Sequence, residues 1–144
     1  MDELTGVPAT TQGVDAGNGV ADAVLREVAR LLRELAGDPR CDAAIDLNSL
    51  PLGEGERERL RRRLGRGEVE AAFDLAGPTR ITETAYAGVW WVRHADVDDR
   101  PVLEHIVVAR VPALLLAHPA DIEVAARRIG TELAAATCQE KVND

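Results

Sequence analysis

Aromatic residues, cysteines and serines are scarce in this sequence, and each shortage narrows the functions that it can carry. The two cysteines, Cys41 and Cys138, lie far apart without a C-x-x-C spacing, so neither a disulfide framework nor a zinc ribbon is expected. The lone serine, Ser49, stands outside any G-x-S-x-G motif, which argues against a hydrolase nucleophile. Only 3% of the residues are aromatic, and both tryptophans are adjacent, Trp90 and Trp91.

Long apolar runs are also missing. No segment approaches the ~20 apolar residues of a membrane helix, and the first residues lack the basic start and apolar core of a secretory signal. The net charge of −8 predicts repulsion from nucleic-acid phosphates and anionic lipids. We therefore expect a cytoplasmic protein with free thiols, no cofactor, and no nucleic-acid or membrane partner.

The length and composition predict one folded domain. A chain of 144 residues, of which 46% are hydrophobic, can bury a single core. Residues 1–19 are rich in Gly, Thr and Asp and carry almost no large apolar side chain, so we expect a flexible tail there. Residues 20–144 are then expected to form a single α+β domain.

Three segments have the apolar period of amphipathic helices. The first begins at Val20 and ends at Gly37, and the second spans residues 53–65, where Gly65 ends it. The third begins at Pro119. Its apolar stripe consists of Ile122, Ala126, Ile129, Leu133 and Ala136.

Four segments between the second and third helices have the character of strands. They are residues 69–75, 80–86, 89–95 and 102–111. Because short turns join them, we expect a four-stranded antiparallel meander in the order α-α-β-β-β-β-α, with helices on one face. The segment Ile45–Leu52 is expected to be a connector.

Two histidines near the predicted third hairpin raise the question of a metal site. His94 and His105 would approach each other in an antiparallel pair, and Glu104 is adjacent to the second. Two imidazoles and a carboxylate can bind a metal ion or catalyse proton transfer. Since no spacing fixes a further ligand, structural histidines are the favoured interpretation. A metal-binding protein or enzyme is the alternative.

Six arginines fall between Arg57 and Arg66. A basic stretch can indicate nucleic-acid binding, but acidic residues alternate with these arginines and the whole chain is acidic. A solvated helix face with internal ion pairs is therefore the better interpretation.

The two adjacent tryptophans are expected to lie on opposite faces of one strand. Adjacent strand residues point to opposite faces, so Trp90 and Trp91 cannot enter one core from the same sheet. One ring is expected beneath the helices, and the other must meet a second layer, a partner or water. Tryptophan is enriched at protein interfaces. A partner surface and a covering loop or tail are equally open interpretations.

Three motifs resemble those of a known family. They read L-G-x-G-E-V at 64–69, E-T at 83–84 and G-V-W-W-V at 88–92. In this order and spacing they resemble the C-terminal conserved region of the HupH/HyaF hydrogenase expression/formation proteins. The resemblance covers about Leu50 to Leu133.

This resemblance implies a non-enzymatic assembly factor for a [NiFe] uptake hydrogenase. The implied partner is the immature small, iron–sulfur subunit, or the thioredoxin-like chaperone that attends it. A homodimeric interaction module is a further alternative. The resemblance places the partner site on the motif residues. These candidates are Leu64, Gly65, Gly67, Glu68, Glu83, Thr84, Gly88, Trp90 and Trp91.

Overall fold

A computed structural model describes residues 19–74 and 76–143, which form three α-helices and one five-stranded antiparallel sheet. The predicted tail at residues 1–19 lies outside this described part, apart from Gly19. Two short 3₁₀ turns complete the elements, Leu47–Ser49 and Ala113–Leu115. In chain order the helices and strands are α1 (Val20–Gly37), β1 (Ala43–Asp46), α2 (Glu54–Leu64), β2 (Glu70–Asp74), β3 (Pro78–Glu83), β4 (Val89–Ala95), β5 (Pro101–Val108) and α3 (Pro119–Asn143).

The sheet has five strands, so the predicted four-stranded meander was wrong, although the α+β class was correct. The strand order is β1-β5-β4-β3-β2. The extra strand, β1, overlaps the segment that was predicted to be a connector. It pairs with β5, with Ala43 opposite Val108 and Asp46 opposite His105. Four residues are too few to show an alternating pattern, and the partner strand lies far along the chain, so local sequence gave no signal.

The remaining strands follow one another through tight turns, as the sequence predicted. Between β2 and β3, the Asp74 carboxylate accepts a hydrogen bond from the Gly77 amide at 2.7 Å. Gly77 has φ +135°, and a Cβ there would lie 2.2 Å from the Ala95 carbonyl oxygen. Only glycine fits at position 77, because both the backbone angle and the close approach exclude a side chain there.

The core lies between α1, α2 and one face of the sheet. α1 places its predicted apolar stripe against this face, and both leucines of α2 are buried with it. Burial of this size supplies the main favourable free energy of folding. The buried cluster consists of Ala21, Val24, Val28, Leu31, Leu47, Leu60, Leu64, Val89, Trp91, Ile106 and Val108.

A second compact unit begins at Ala113 and contains α3. The predicted helix from Pro119 is confirmed. Its apolar stripe is exposed, including Ile122, Ile129 and Leu133. None of the helices in the described part of the chain combines the length and apolar character that a bilayer crossing requires.

Candidate functional site

Both tryptophan rings are buried, at 6% exposure each. Trp91 belongs to the cluster beneath the helices. Trp90, on the other side of the strand, donates its indole N–H to the Ala109 carbonyl oxygen at 3.1 Å. An interface built on an exposed indole ring is therefore not supported, and these two residues act as packing residues.

A buried carboxylate fastens α2 to the sheet through Trp91. The indole N–H of Trp91 donates to Oε2 of Glu104 at 2.6 Å. Arg61 donates to the same oxygen at 2.8 Å, and Arg57 donates to the other oxygen. Glu104 is only 5% exposed. Three donors, two of them cationic, compensate the desolvation of this charge.

Arg61 also lies over the Trp91 ring, with its guanidinium carbon 4.6 Å from the ring centroid. A guanidinium at this distance is attracted by the electron-rich face of the indole. One arginine at the end of α2 is therefore held by both a carboxylate and an aromatic ring.

The glycine motif after α2 is a close packing joint. The Gly67 amide donates to the Glu83 carbonyl oxygen at 2.7 Å, and a Cβ at Gly67 would lie 2.5 Å from the Thr84 carbonyl oxygen. The Ala85 amide donates to the Leu64 carbonyl oxygen at 2.9 Å. These contacts bring two of the family motifs together.

Two further glycines of the motifs have positive φ angles, +69° at Gly65 and +86° at Gly88. Gly65 ends α2, and Gly88 lies against Leu35 of α1, where a Cβ would approach to 3.2 Å. The Thr84 hydroxyl closes the intervening turn, because it accepts from the Tyr86 amide at 3.1 Å. Each residue thus has a local structural role.

A cleft of about 360 Å³ opens beside this joint. Four arginines line it: Arg61 and Arg62 from the end of α2, Arg66 just after that helix, and Arg80 from β3. The rest of its lining comes from Gly65, Thr82, Glu83, Thr84 and Trp91. We call these residues the arginine cleft. Of the remaining motif candidates, Glu68 is exposed and lies outside this lining.

The sequence did not predict the cleft, although two signals pointed to it. The density of arginine in α2 was one. The other was β3, where alternate residues Arg80 and Thr82 share the face of Trp91. Only the register of β3 against β4 shows that these side chains meet the end of α2.

Most arginines of the 57–66 segment are ion-paired, but their closest pairs are with carboxylates of other elements and not within the helix face as predicted. Arg59 contacts Asp22 of α1 at 3.0 Å. Arg66 contacts Glu70 at 2.8 Å, and Arg80 binds the same carboxylate. The hydrogen bond from Arg80, and then that from Arg66, lowers the pKa of Glu70 below its usual value. Within the described residues, Arg62 has no ion-pair partner.

The three metal candidates do not come together, so the geometry does not support the alternative of a metal site. Glu104 projects to the face that carries α2, whereas the adjacent His105 projects to the opposite face. His94 instead contacts the Thr79 hydroxyl, at 2.6 Å. Across residues 19–74 and 76–143 there is no group of three or more His, Cys, Asp or Glu side chains suited to a metal ion.

Two opposing effects act on the pKa of His105. Partial burial lowers the pKa of its imidazole below the ordinary value, and the nearby carboxylate of Asp46 opposes this effect. Asp46 lies directly opposite it on β1. The neutral imidazole is therefore favoured in the folded protein.

Several known proteins are similar to this chain. The hydrogenase expression/formation protein HoxQ of Azotobacter vinelandii is 34% identical over 86 residues, which cover 60% of this chain and 30% of that protein. The hydrogenase-1 operon protein HyaF of Escherichia coli K12 is 31% identical, with the same shares covered. The chain thus spans about a third of the length of these relatives.

A solved structure agrees with the fold. The hydrogenase expression protein HupH from Thiobacillus denitrificans is 36% identical, with a TM-score of 0.77, and the match covers 82% of this chain and 98% of that one. The resemblance predicted from the motifs is confirmed, and it extends to α1. The family model described as "HupH hydrogenase expression protein, C-terminal conserved region" matches residues 19–136, and this chain belongs to that family.

Proposed function

We propose that this chain is a maturation factor for a [NiFe] uptake hydrogenase and that it acts by binding, without catalysis of its own. The observation that carries this proposal is the family match over residues 19–136. Relatives from two organisms are named hydrogenase expression/formation proteins, which supports a role in making hydrogenase. Because the chain spans only part of these relatives, the role is proposed for the conserved region itself.

The proposed partner is the immature small, iron–sulfur subunit of the hydrogenase or the thioredoxin-like chaperone that attends it. The geometry favours a binding role over a catalytic one. Two polar groups of the motifs are engaged in structural hydrogen bonds, the Thr84 hydroxyl in its turn and the Trp91 indole N–H at Glu104 beneath α2. These contacts fix α2 on the sheet and thereby preorganise the surface beside it, which favours binding.

We place the partner site on the outer side of the packing joint, next to the arginine cleft. Glu83 and Gly65 line this cleft, and both are among the residues predicted from the motifs. Trp90 supports the site from within and does not contact the partner, whereas the largely buried Trp91 also lines the cleft. The exposed thiols of Cys41 and Cys138 support a reducing compartment such as the cytoplasm as the place of action.

The test is co-elution of the full chain with the hydrogenase small subunit before its clusters are inserted. We expect the immature subunit, alone or with its chaperone, to co-elute with this chain in size-exclusion chromatography. The matched control is the mature subunit from active enzyme, which should elute separately. Equal binding of both forms, or of neither form, would contradict the proposal.

Self-association is a second candidate, and α3 is the observation that favours it. Ile122, Ile129 and Leu133 are each more than half exposed on this helix, and a second copy could cover them. The tryptophan rings are not candidates for this contact, because both are buried. Light scattering at high protein concentration tests the idea, and a monomer there would remove it.

A further inference from the structure

The charged side chains that line the arginine cleft are mainly cationic, although the protein as a whole is acidic. The whole chain carries −8, yet four arginines and one glutamate line the cleft. The arginines reach it from separate parts of the chain, since Arg62 comes from the end of α2, Arg66 from the segment after that helix and Arg80 from β3. A local cationic site on an acidic protein attracts a local anionic group and discriminates against long polyanions.

Three of these arginines are already oriented by carboxylates. Glu104 holds Arg61, and Glu70 holds both Arg66 and Arg80. A guanidinium has five N–H donors in a fixed plane, so one carboxylate leaves other donors available. Arginine forks match carboxylates with two parallel hydrogen bonds. The site is therefore preorganised for further carboxylate groups.

Arg62 supplies the cation that an incoming group can bind. It lines the cleft, is exposed and forms no ion pair with any described residue. An exposed guanidinium beside three oriented ones is repelled by them, and a carboxylate between them would relieve this repulsion. Binding of an anion is thus favoured at this position.

The size and lining of the cleft favour a peptide over a folded surface. Its volume of about 360 Å³ is near the lower end of ligand pockets, which span ~300–1,000 Å³. It can hold a few side chains. Trp91 and Thr82 add apolar and hydroxyl contacts that a peptide can use, and Glu83 disfavours a dense phosphate charge.

We infer that the arginine cleft binds an acidic peptide segment of the partner, with Asp or Glu side chains placed against Arg62 and its neighbours. The identity of that partner rests on the proposed function, whereas the acidic chemistry rests on the cleft. The motifs indicate where the partner surface lies, and this inference adds the chemical class of the group that binds there.

The test is fluorescence anisotropy with a labelled peptide of alternating Glu and Gly, added to the full chain. The matched peptide has Gln in place of Glu. We expect the Glu peptide to bind at least about tenfold more tightly, because each charge-assisted hydrogen bond contributes more than a neutral one. Raising the salt concentration should weaken the binding.

The matched protein variants are Arg62→Glu and Arg63→Glu. Both residues are exposed neighbours on α2, but Arg63 does not line the cleft. We expect Arg62→Glu to lower the affinity for the Glu peptide about tenfold. Arg63→Glu should change this affinity by less than about twofold, since exposed charges away from a site contribute little. Unchanged circular dichroism would show that both variants fold.

Three results would overturn the inference: equal binding of the Glu and Gln peptides, equal effects of the two variants, or tighter binding of oligothymidylate than of the Glu peptide. Co-elution with the immature small subunit separates this inference from the proposed function. If the subunit co-elutes equally with wild type and Arg62→Glu, the inference fails and the function stands. If the Glu peptide binds at Arg62 but no subunit or chaperone co-elutes, the function fails and the cleft chemistry stands.

Discussion

Two helices of this protein, α1 and α3, both carry an apolar stripe at helical spacing, but the stripes have opposite fates. Val24, Val28 and Leu31 of α1 are buried against the sheet. Ile129 and Leu133 of α3 are exposed, the first at 60%. Periodicity therefore predicts which face of a helix is apolar but not what covers that face.

The polar contacts of α1 and α3 also differ. At the start of α1, the Ala21 amide donates to the Glu56 carboxylate of α2 at 2.8 Å. This satisfies one of the free N–H groups at the helix start and places a negative charge at the positive end of the helix dipole. In α3, the ion pair between Arg128 and Glu132 is local and exposed. Contacts between helices thus stabilise α1, whereas this ion pair adds only local stability to α3.

A carboxylate placed in each apolar stripe should affect the two helices very differently. Val28→Asp should lower the free energy of unfolding by about 4 kcal/mol, because it buries an unpaired charge in the core. Ile129→Asp should change it by less than about 0.5 kcal/mol, as expected for an exposed position. Urea denaturation measures both variants. A large loss for Ile129→Asp would mean that the α3 stripe is covered in solution.

The second prediction compares two carboxylates. Glu104→Leu should lower the free energy of unfolding by about 3 kcal/mol, since it leaves two arginines and the Trp91 indole N–H without their acceptor. Glu132→Leu on α3 should cost about 0.5 kcal/mol or less, because it removes only a surface pair. Thermal unfolding followed by tryptophan fluorescence reads both. Similar shifts for the two variants would show that the buried network adds no stability.

The third prediction compares two glycines. Gly67→Ala should destabilise the protein by about 2 kcal/mol, because the new methyl group would meet the Thr84 carbonyl oxygen. Gly130→Ala, inside α3 with no atom close to the added methyl, should stabilise that helix by about 0.5–1 kcal/mol. Chemical denaturation followed by circular dichroism gives both values. If Gly67→Ala left the free energy of unfolding unchanged, the contact between Gly67 and the Thr84 carbonyl oxygen would not be close enough to exclude a methyl group.

The smallest effect concerns pH. Burial lowers the pKa of His105, so below about pH 6.5 the unfolded chain binds more protons than the folded one. The histidine's contribution to stability is therefore present above that pH and is lost as the pH falls. We expect His105→Gln to reduce the loss of stability between about pH 7 and pH 5. Melting temperatures across that range check it, and parallel curves for both proteins would contradict it.

Local pattern predicted most of the fold. Helical period located all three described helices, helped by the glycine ends of α1 and α2 and by Pro119 at the start of α3, and turn residues separated β2 to β5. The pattern missed β1, because Ala43–Asp46 becomes a strand only through its non-local pairing with β5. Short edge strands of this kind have no signature of their own in sequence.

The site was predictable only in outline. The motifs located the two segments that meet at Gly67 and Thr84. The opposite directions of Trp90 and Trp91 also followed from strand geometry, but their burial depended on what covers each face. The cleft itself required the register that brings Arg80 beside the end of α2. Sequence alone does not give that register when the strand is half polar.

The most direct measurement of the central claim is amide hydrogen exchange of the full chain with and without the immature hydrogenase small subunit. Our account predicts slower exchange on binding at residues 61–67 and 80–84, which border the arginine cleft, and unchanged exchange along α3. Protection along α3 with none at the cleft would contradict it, because the partner would then bind the exposed helix and not the arginines.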